Sequence, residues 1–164
     1  PTARGLELRQ VQICFRHGAR TPYREIASEP KIPWHEEEVL NKRKLDLAEI
    51  RVLRRSDNTG EVVSEPLDEE AISTIDLAYH SEQLHGGAMP ARLTEVGMKQ
   101  AIELGQRLRE RYVEAESLLP GLWEQAKDLI FSRSTETERT IETAQGVLSG
   151  LYPGQINGDH RLRR

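Results

Sequence analysis

The stretch LTEVGMKQAIELGQRLRERY, residues 93–112, limits the possible folds more than any other part of the chain. Its apolar residues at 98, 101, 102, 104, 108 and 112 recur at a helical spacing, which lines them up on one face. Thr94 is suited to cap this helix, and Glu95 falls in its first turn. Gly97 and Gly105 each weaken an isolated helix by about 1 kcal/mol relative to alanine. Their presence therefore implies close packing against a neighbour.

A second helix is predicted over STETERTIETAQGVLSGLY, residues 134–152. Thr135-x-x-Glu138 has the form of a capping box, Ile141, Ala144, Val147 and Leu148 form the buried stripe, and Gly150 suits the C-cap. Between the helices, DLIFSR (128–133) follows Pro120 and Gly121 and reads as a short apolar strand. Residues 9–15, holding the run Val11 to Phe15, read as a buried strand ending at Arg16. The order strand, long excursion, helix, strand, helix implies an α/β layer with parallel strands.

The excursion, residues 23–92, is expected to lie outside that layer as a cap. It holds Pro30, Pro33, Pro66 and the acidic run Glu36-Glu37-Glu38, which with His35 is expected to face solvent. Inside it, LDLAEIRVLRRSDNTGEVVSEP (45–66) alternates loosely around the turn sequence DNTG, which suits a hairpin. A short helix over 36–50 competes. There are no internal repeats and no low-complexity tracts.

The chain has 164 residues, enough for one domain with a real core. Its net charge of −4 argues against nucleic acid as partner. No apolar run approaches membrane-spanning length. No stretch reads as a signal peptide, and the chain begins at Pro1 as a processed or excised product would. Cys14 is alone, which excludes an internal disulfide, and its apolar neighbours make it a buried small hydrophobe. Together with the absence of an Asn-x-Ser/Thr sequon, this leans towards an intracellular or organellar setting.

The chemistry is concentrated in RHGARTP, residues 16–22. Two permanent cations, Arg16 and Arg20, flank His17 and repel any proton placed on it. An anion among them resolves the crowding. In open α/β sheets, ligands collect beyond the carboxyl ends of strands, where Arg16-His17 and Arg133 are both expected. A phosphate monoester there would meet paired N–H donors from Arg16, Arg20 and Arg133 and the positive end of the second helix. His17, kept as the free base, would be placed for in-line attack on phosphorus. No metal or other cofactor is required.

RHGARTP, followed much later by RSTETERT (133–140), resembles the histidine acid phosphatase branch of the histidine phosphatase superfamily. The likeness runs from about residue 8 to 152 and includes the helix between the two motifs. It implies a three-layer α/β/α core of phosphoglycerate-mutase type with parallel strands and the start of a cap insertion. It implies that His17 is a phosphohistidine nucleophile, that Arg16, Arg20 and Arg133 bind phosphate with Thr21 beside them, and that Arg139 has a supporting role. YHSEQLHGGAMPARLTEVGM and YVEAESLLPGL are most similar to members acting on lysophosphatidic acid in mitochondria. The substrate expected from this is a lysophospholipid, with a lysosomal or secreted setting as the alternative. The resemblance leaves the oligomeric state open.

The family's later His-Asp pair, in which the Asp protonates the leaving alcohol, has no counterpart here. Asp159 and His160 in GDHRLRR stand in reverse order and in the wrong place. The chain therefore looks like the amino-terminal part of a single α/β domain of a longer enzyme. The alternatives are a broad acid phosphatase, an inositol- or sugar-phosphate phosphatase, and a non-catalytic phosphate-binding fragment. Arg133 also reads as a helix-start arginine paired to Glu136 or Glu138. His80 and His85 read as solvated loop residues, and the basic tail Arg161, Arg163 and Arg164 as a segment continuing onward or touching anionic lipid.

Overall fold

The computed structural model describes residues 6–25, 28, 30–39, 45–55, 59, 62–66 and 83–163. His80, Arg164, residues 79–82 of the lipid-phosphatase-like stretch and parts of the excursion lie outside this set. Seven α-helices and β-strands are present among the described residues: β1 (Glu49–Arg55), β2 (Val62–Pro66), α1 (Glu95–Arg109), α2 (Trp123–Ala126), β3 (Ser132–Arg133), α3 (Glu138–Leu151) and β4 (Asn157–Arg163).

Helix α1 forms where the apolar spacing places it. The Thr94 hydroxyl accepts a hydrogen bond from the Gly97 N–H and satisfies one of the orphan donors of the first turn. The helix runs on as a π-helical segment, Glu110–Ala115, with Glu116 N–H donating to Arg111 C=O. Its glycines mark where it meets other backbone. A Cβ on Gly105 would lie 2.1 Å from the Val147 carbonyl oxygen, and one on Gly150 would lie 2.1 Å from that of Ile102. Gly150, expected as a C-cap, is thus a contact point inside α3, which ends at Leu151 with Tyr152 as its cap. Its N-cap is Thr137 rather than Thr135, without a side-chain bond. At the far end, Arg109 Nη1 donates to the Leu151 carbonyl at 3.1 Å, placing a cation on the negative end of α3.

The sheet order is β2-β1-β4-β3. Strands β1, β4 and β3 run parallel, and β2 folds back antiparallel on β1 with Arg55 opposite Val62. The strands on either side of DNTG pair antiparallel as expected, with Asp57, Asn58 and Gly60 outside the described residues; of the competing helix over 36–50 the described residues show a 3-10 turn at Glu36–Glu38, whose residues are exposed together with His35. This hairpin joins the sheet through β1, so this part of the excursion belongs to the layer rather than outside it. The basic tail is likewise corrected: Asn157–Arg163 is an inner strand.

Two strand expectations fail. Residues 9–15 have no strand pairing; Ile13 and Phe15 are 41% and 43% exposed, and Cys14 is an exposed thiol rather than a buried one. Of residues 128–133 only the last two pair, and Leu129 and Phe131 are exposed. A strand needs a partner with matching pleat, and apolar composition alone does not supply one.

Helix α3 lies between the sheet and α1. Ile141, Ala144, Leu148 and Leu151 pack with Ile50, Val52 and Leu162, while Gly146, Val147 and Gly150 face α1. Two buried polar side chains on α3 bond to backbone: Gln145 Nε2 donates to the Ala48 carbonyl and the Ala48 N–H donates to Ser149 Oγ. On β4, His160 and Leu162 are buried and the alternate residues Asp159, Arg161 and Arg163 are exposed. The helical cover therefore sits on one face among the described residues. His160 bonds Ser132 Oγ at 3.0 Å and meets the edge of Trp123, whose indole N–H donates to Asp159. The Trp123 ring in turn meets Tyr152, whose hydroxyl donates to the Pro120 carbonyl.

The glycine crossing predicts that Gly150→Ala lowers the unfolding free energy by about 3 kcal/mol in urea titrations, because neither helix backbone can retreat without opening the core. Gly121→Ala, where nothing stands within 4 Å of the added carbon, should change it by less than about 0.5 kcal/mol. Burial holds the His160 imidazole below its ordinary value, against a smaller opposing pull from Asp159. The unfolded chain then takes up this proton near pH 6.5 while the folded chain resists, so stability is complete above about pH 6.5 and falls as pH drops below it. His160→Gln should flatten that acid limb by up to about one proton in the slope of unfolding free energy against pH.

Candidate active site

The motif loop is built from Gly18 outward. A Cβ on Gly18 would sit 2.2 Å from the Gly97 carbonyl oxygen, and one on Gly97 2.1 Å from that of Ala19. These two glycines let the loop lie directly on the first turn of α1. The loop's backbone groups are then fastened individually. Gly18 N–H donates to Thr143 Oγ1 at 3.2 Å, and Ala19 N–H to Gln100 Oε1 at 2.9 Å. The Ala19 carbonyl accepts from both Thr94 N–H and Thr94 Oγ1. Thr94 thus caps α1 and holds the loop with one side chain.

Residues 20–22 lie alongside 91–93. Arg20 and Leu93 form an antiparallel bridge, Thr21 N–H donates to Arg92 C=O, and Ala91 N–H donates to Pro22 C=O. Thr21, expected beside the phosphate, is wholly buried: its hydroxyl donates to the Met89 carbonyl and accepts from Arg92 N–H. Its role is to hold the loop.

His17 is half-buried, and its Nδ1 lies 2.8 Å from the Gly18 carbonyl oxygen. A carbonyl only accepts, so Nδ1 carries a proton, and in the neutral ring the lone pair is on Nε2. The backbone thereby selects the neutral tautomer whose free nitrogen is Nε2.

The cations gather around Tyr23 and Arg20. Arg20 lies with its guanidinium carbon 3.7 Å above the Tyr23 ring, while Arg139 donates from Nη2 to the Tyr23 hydroxyl at 2.9 Å. Burial is the main force pushing the Arg20 guanidinium below its usual value; the nearby Arg139 and Arg16 cations push the same way, against Tyr23. Arg20 Nη1 donates to its neighbour's carbonyl, Thr21 O, and its buried Nε has no hydrogen-bond partner among the described residues. Arg139 is itself 7% exposed, in the first turn of α3 one turn ahead of Thr143. That turn is anchored by Arg92, whose Nη2 donates to Glu138 Oε1 at 2.6 Å; the second contact, Nη1 to Oε2, has ion-pair distance only.

Arg16, Arg20 and Arg139 therefore lie near one another, with His17 next to Arg16 in the chain, and Arg133 makes no contact with them among the described residues. Arg133 pairs in register with exposed Arg163, while its neighbour Ser132 bonds buried His160, so Arg133 is on the sheet face away from α3. Its convergence with His17 required residues 9–15 and 128–133 to be strands of one sheet, and residues 9–15 are outside it. Tyr23 and the Arg92–Glu138 pair carried no sequence signal, and Arg139 carried a weak one, six residues after Arg133. Asp159 is held by Trp123 and Lys127, and His160 by Ser132, which leaves both as structural groups. His85 is exposed, and no group of three or more His, Cys, Asp or Glu side chains is placed to hold a metal ion among the described residues.

The profile of the histidine phosphatase superfamily (branch 2) matches residues 7–163. The chain is 33% identical over 153 residues to human lysophosphatidic acid phosphatase type 6, covering 93% of this chain and 33% of that protein. It is 34% identical over 150 residues to the mouse protein of the same name, covering 92% and 33%. It is 31% identical over 150 residues to counting factor 60 of Dictyostelium discoideum, covering 91% and 33%. The chain spans about one third of the length of these relatives. A profile match over nearly its whole length, on a loop that presents an imidazole among guanidinium groups, shows that the chain belongs to branch 2 of the histidine phosphatase superfamily.

Proposed function

We propose that this chain supplies the nucleophile and the anion cradle of a phosphomonoester hydrolase working through phosphohistidine. The observation that carries the reading is the His17 Nδ1 to Gly18 C=O bond, which in the neutral imidazole puts the lone pair on Nε2. In the reaction, Nε2 attacks phosphorus as the ester P–O bond breaks. The electron pair of that bond leaves on the alcohol oxygen, which takes up a proton. Water then attacks the phosphohistidine, the N–P bond breaks, and phosphate departs as the imidazole recovers its lone pair. The guanidinium groups stabilise charge on the equatorial oxygens throughout, the part a metal ion plays in other phosphatases. Arg139 takes the place in the cradle that the sequence assigned to Arg133. The general acid for the alcohol is supplied from outside the described residues, since Asp159 is already bound to Trp123 and Lys127.

The substrate proposed is lysophosphatidic acid, hydrolysed to monoacylglycerol and phosphate. Its support is the naming of the human and mouse relatives.

With the full-length protein, rapid quenching on labelled substrate should trap an acid-labile phosphoryl group. His17→Ala should abolish it and lower kcat by about 10³-fold or more; a variant turning over at the wild-type rate would refute the mechanism. Comparison of kcat/KM for lysophosphatidate and small soluble esters tests the substrate. The lipid should be favoured by about tenfold or more, as burial of even two or three methylenes allows. Clear preference for sugar or inositol phosphates would replace the lipid assignment while keeping the chemistry.

A further inference from the structure

Arg20 and Arg139 are held near each other in a partly buried site, where like charges repel strongly. Both touch one residue. The Tyr23 ring lies 3.7 Å beneath the Arg20 guanidinium carbon and 5.2 Å from that of Arg139, and its hydroxyl accepts from Arg139 Nη2 at 2.9 Å. The π face attracts the first cation, and the phenol oxygen attracts the second. Tyr23 itself is fixed from behind: it follows Pro22, whose carbonyl accepts from Ala91 N–H. Its neighbours Thr21 and Arg20 are tied to residues 89–93.

We propose that Tyr23 is a positioning residue that sets the spacing and tilt of Arg20 and Arg139 before an oxyanion arrives, so that the two forks meet phosphate without rearrangement. This rests on the phosphatase reading and deepens it. Stacking occupies a face of the Arg20 plane, and the Nη1 bond to Thr21 O fixes one corner. The guanidinium edge is then the part left to meet an anion. For Arg139, bonding through Nη2 to Tyr23 stops the side chain from swinging away along α3. Preorganisation of this kind strengthens anion binding by removing an ordering cost, and its loss is felt first in binding rather than in the chemical step.

The test uses inorganic phosphate as probe, titrated calorimetrically into full-length wild type, Tyr23→Phe, Tyr23→Leu, Arg139→Gln and the Tyr23→Phe/Arg139→Gln double variant, with thermal unfolding measured for each. Tyr23→Phe keeps the stacking and loses the hydroxyl, so phosphate affinity should fall about three- to tenfold. Tyr23→Leu loses both contacts and should fall further, by about 10- to 50-fold. KM should rise with the dissociation constant while kcat changes less. The double variant should bind no more weakly than Arg139→Gln alone, because the hydroxyl acts through Arg139. Tyr23→Phe binding phosphate as wild type does, or losses that add in full in the double variant, would overturn the proposal. If Tyr23→Leu does not fold, Tyr23→Phe and the double variant decide alone. Wild type that binds no phosphate sinks the phosphatase reading and this one together; wild type that binds while Tyr23→Phe binds equally sinks only the role of Tyr23.

Discussion

Backbone-to-backbone contact at glycine is the constraint on which this structure rests. Gly18 meets Gly97, Gly105 meets Val147, and Gly150 meets Ile102, each at a distance no Cβ could occupy. The motif loop thus lies on α1, and α1 lies on α3. With that approach the Thr143 hydroxyl can reach the Gly18 N–H and Arg139 can reach Tyr23. A loop standing one side chain farther off would lose both connections. The site is assembled from residues 16–23 and 138–143, and the glycines bring these distant segments within hydrogen-bond range.

The parts of the fold with internal periodicity were legible in the sequence. Helix α1, its Thr94 cap, the meaning of Gly97 and Gly105, and the buried stripe of α3 all follow from spacing within one segment. The hairpin followed from its turn residues. What could not be read was partnership. Residues 9–15 have strand composition and no strand partner, whereas NGDHRLR has the composition of a solvated tail and runs between two parallel strands. Its alternation of buried His160 and Leu162 with charged residues is a period-2 pattern, but only two buried side chains carry it. The glycine at 150 was read as a helix end because a C-cap is a local explanation, while its real cause is a carbonyl of another helix.

The same division applies to the site. RHGARTP is contiguous, so Arg16, His17 and Arg20 could be named together. The third cation could not be placed by sequence order, because Arg133 and Arg139 flank the start of one helix and only the direction of β3 separates them. Thr21 looked like a ligand because it stands inside the motif; burial turns its hydroxyl towards Met89 and Arg92. Tyr23 lies just past the motif, and its value depends on two arginines 119 positions apart in the chain (residues 20 and 139) meeting over one ring.

Helix α3 has the sheet on one side, α1 on another, and the loop at its first turns. Nearly every residue from Arg139 to Leu151 is buried, including Gln145 and Ser149, which complete the hydrogen bonding of Ala48. An ordinary surface helix keeps a wet flank where substitutions accumulate without consequence. This one has almost no neutral ground, so relatives that diverge along the exposed flank of α1 should retain size and polarity along α3 nearly position by position.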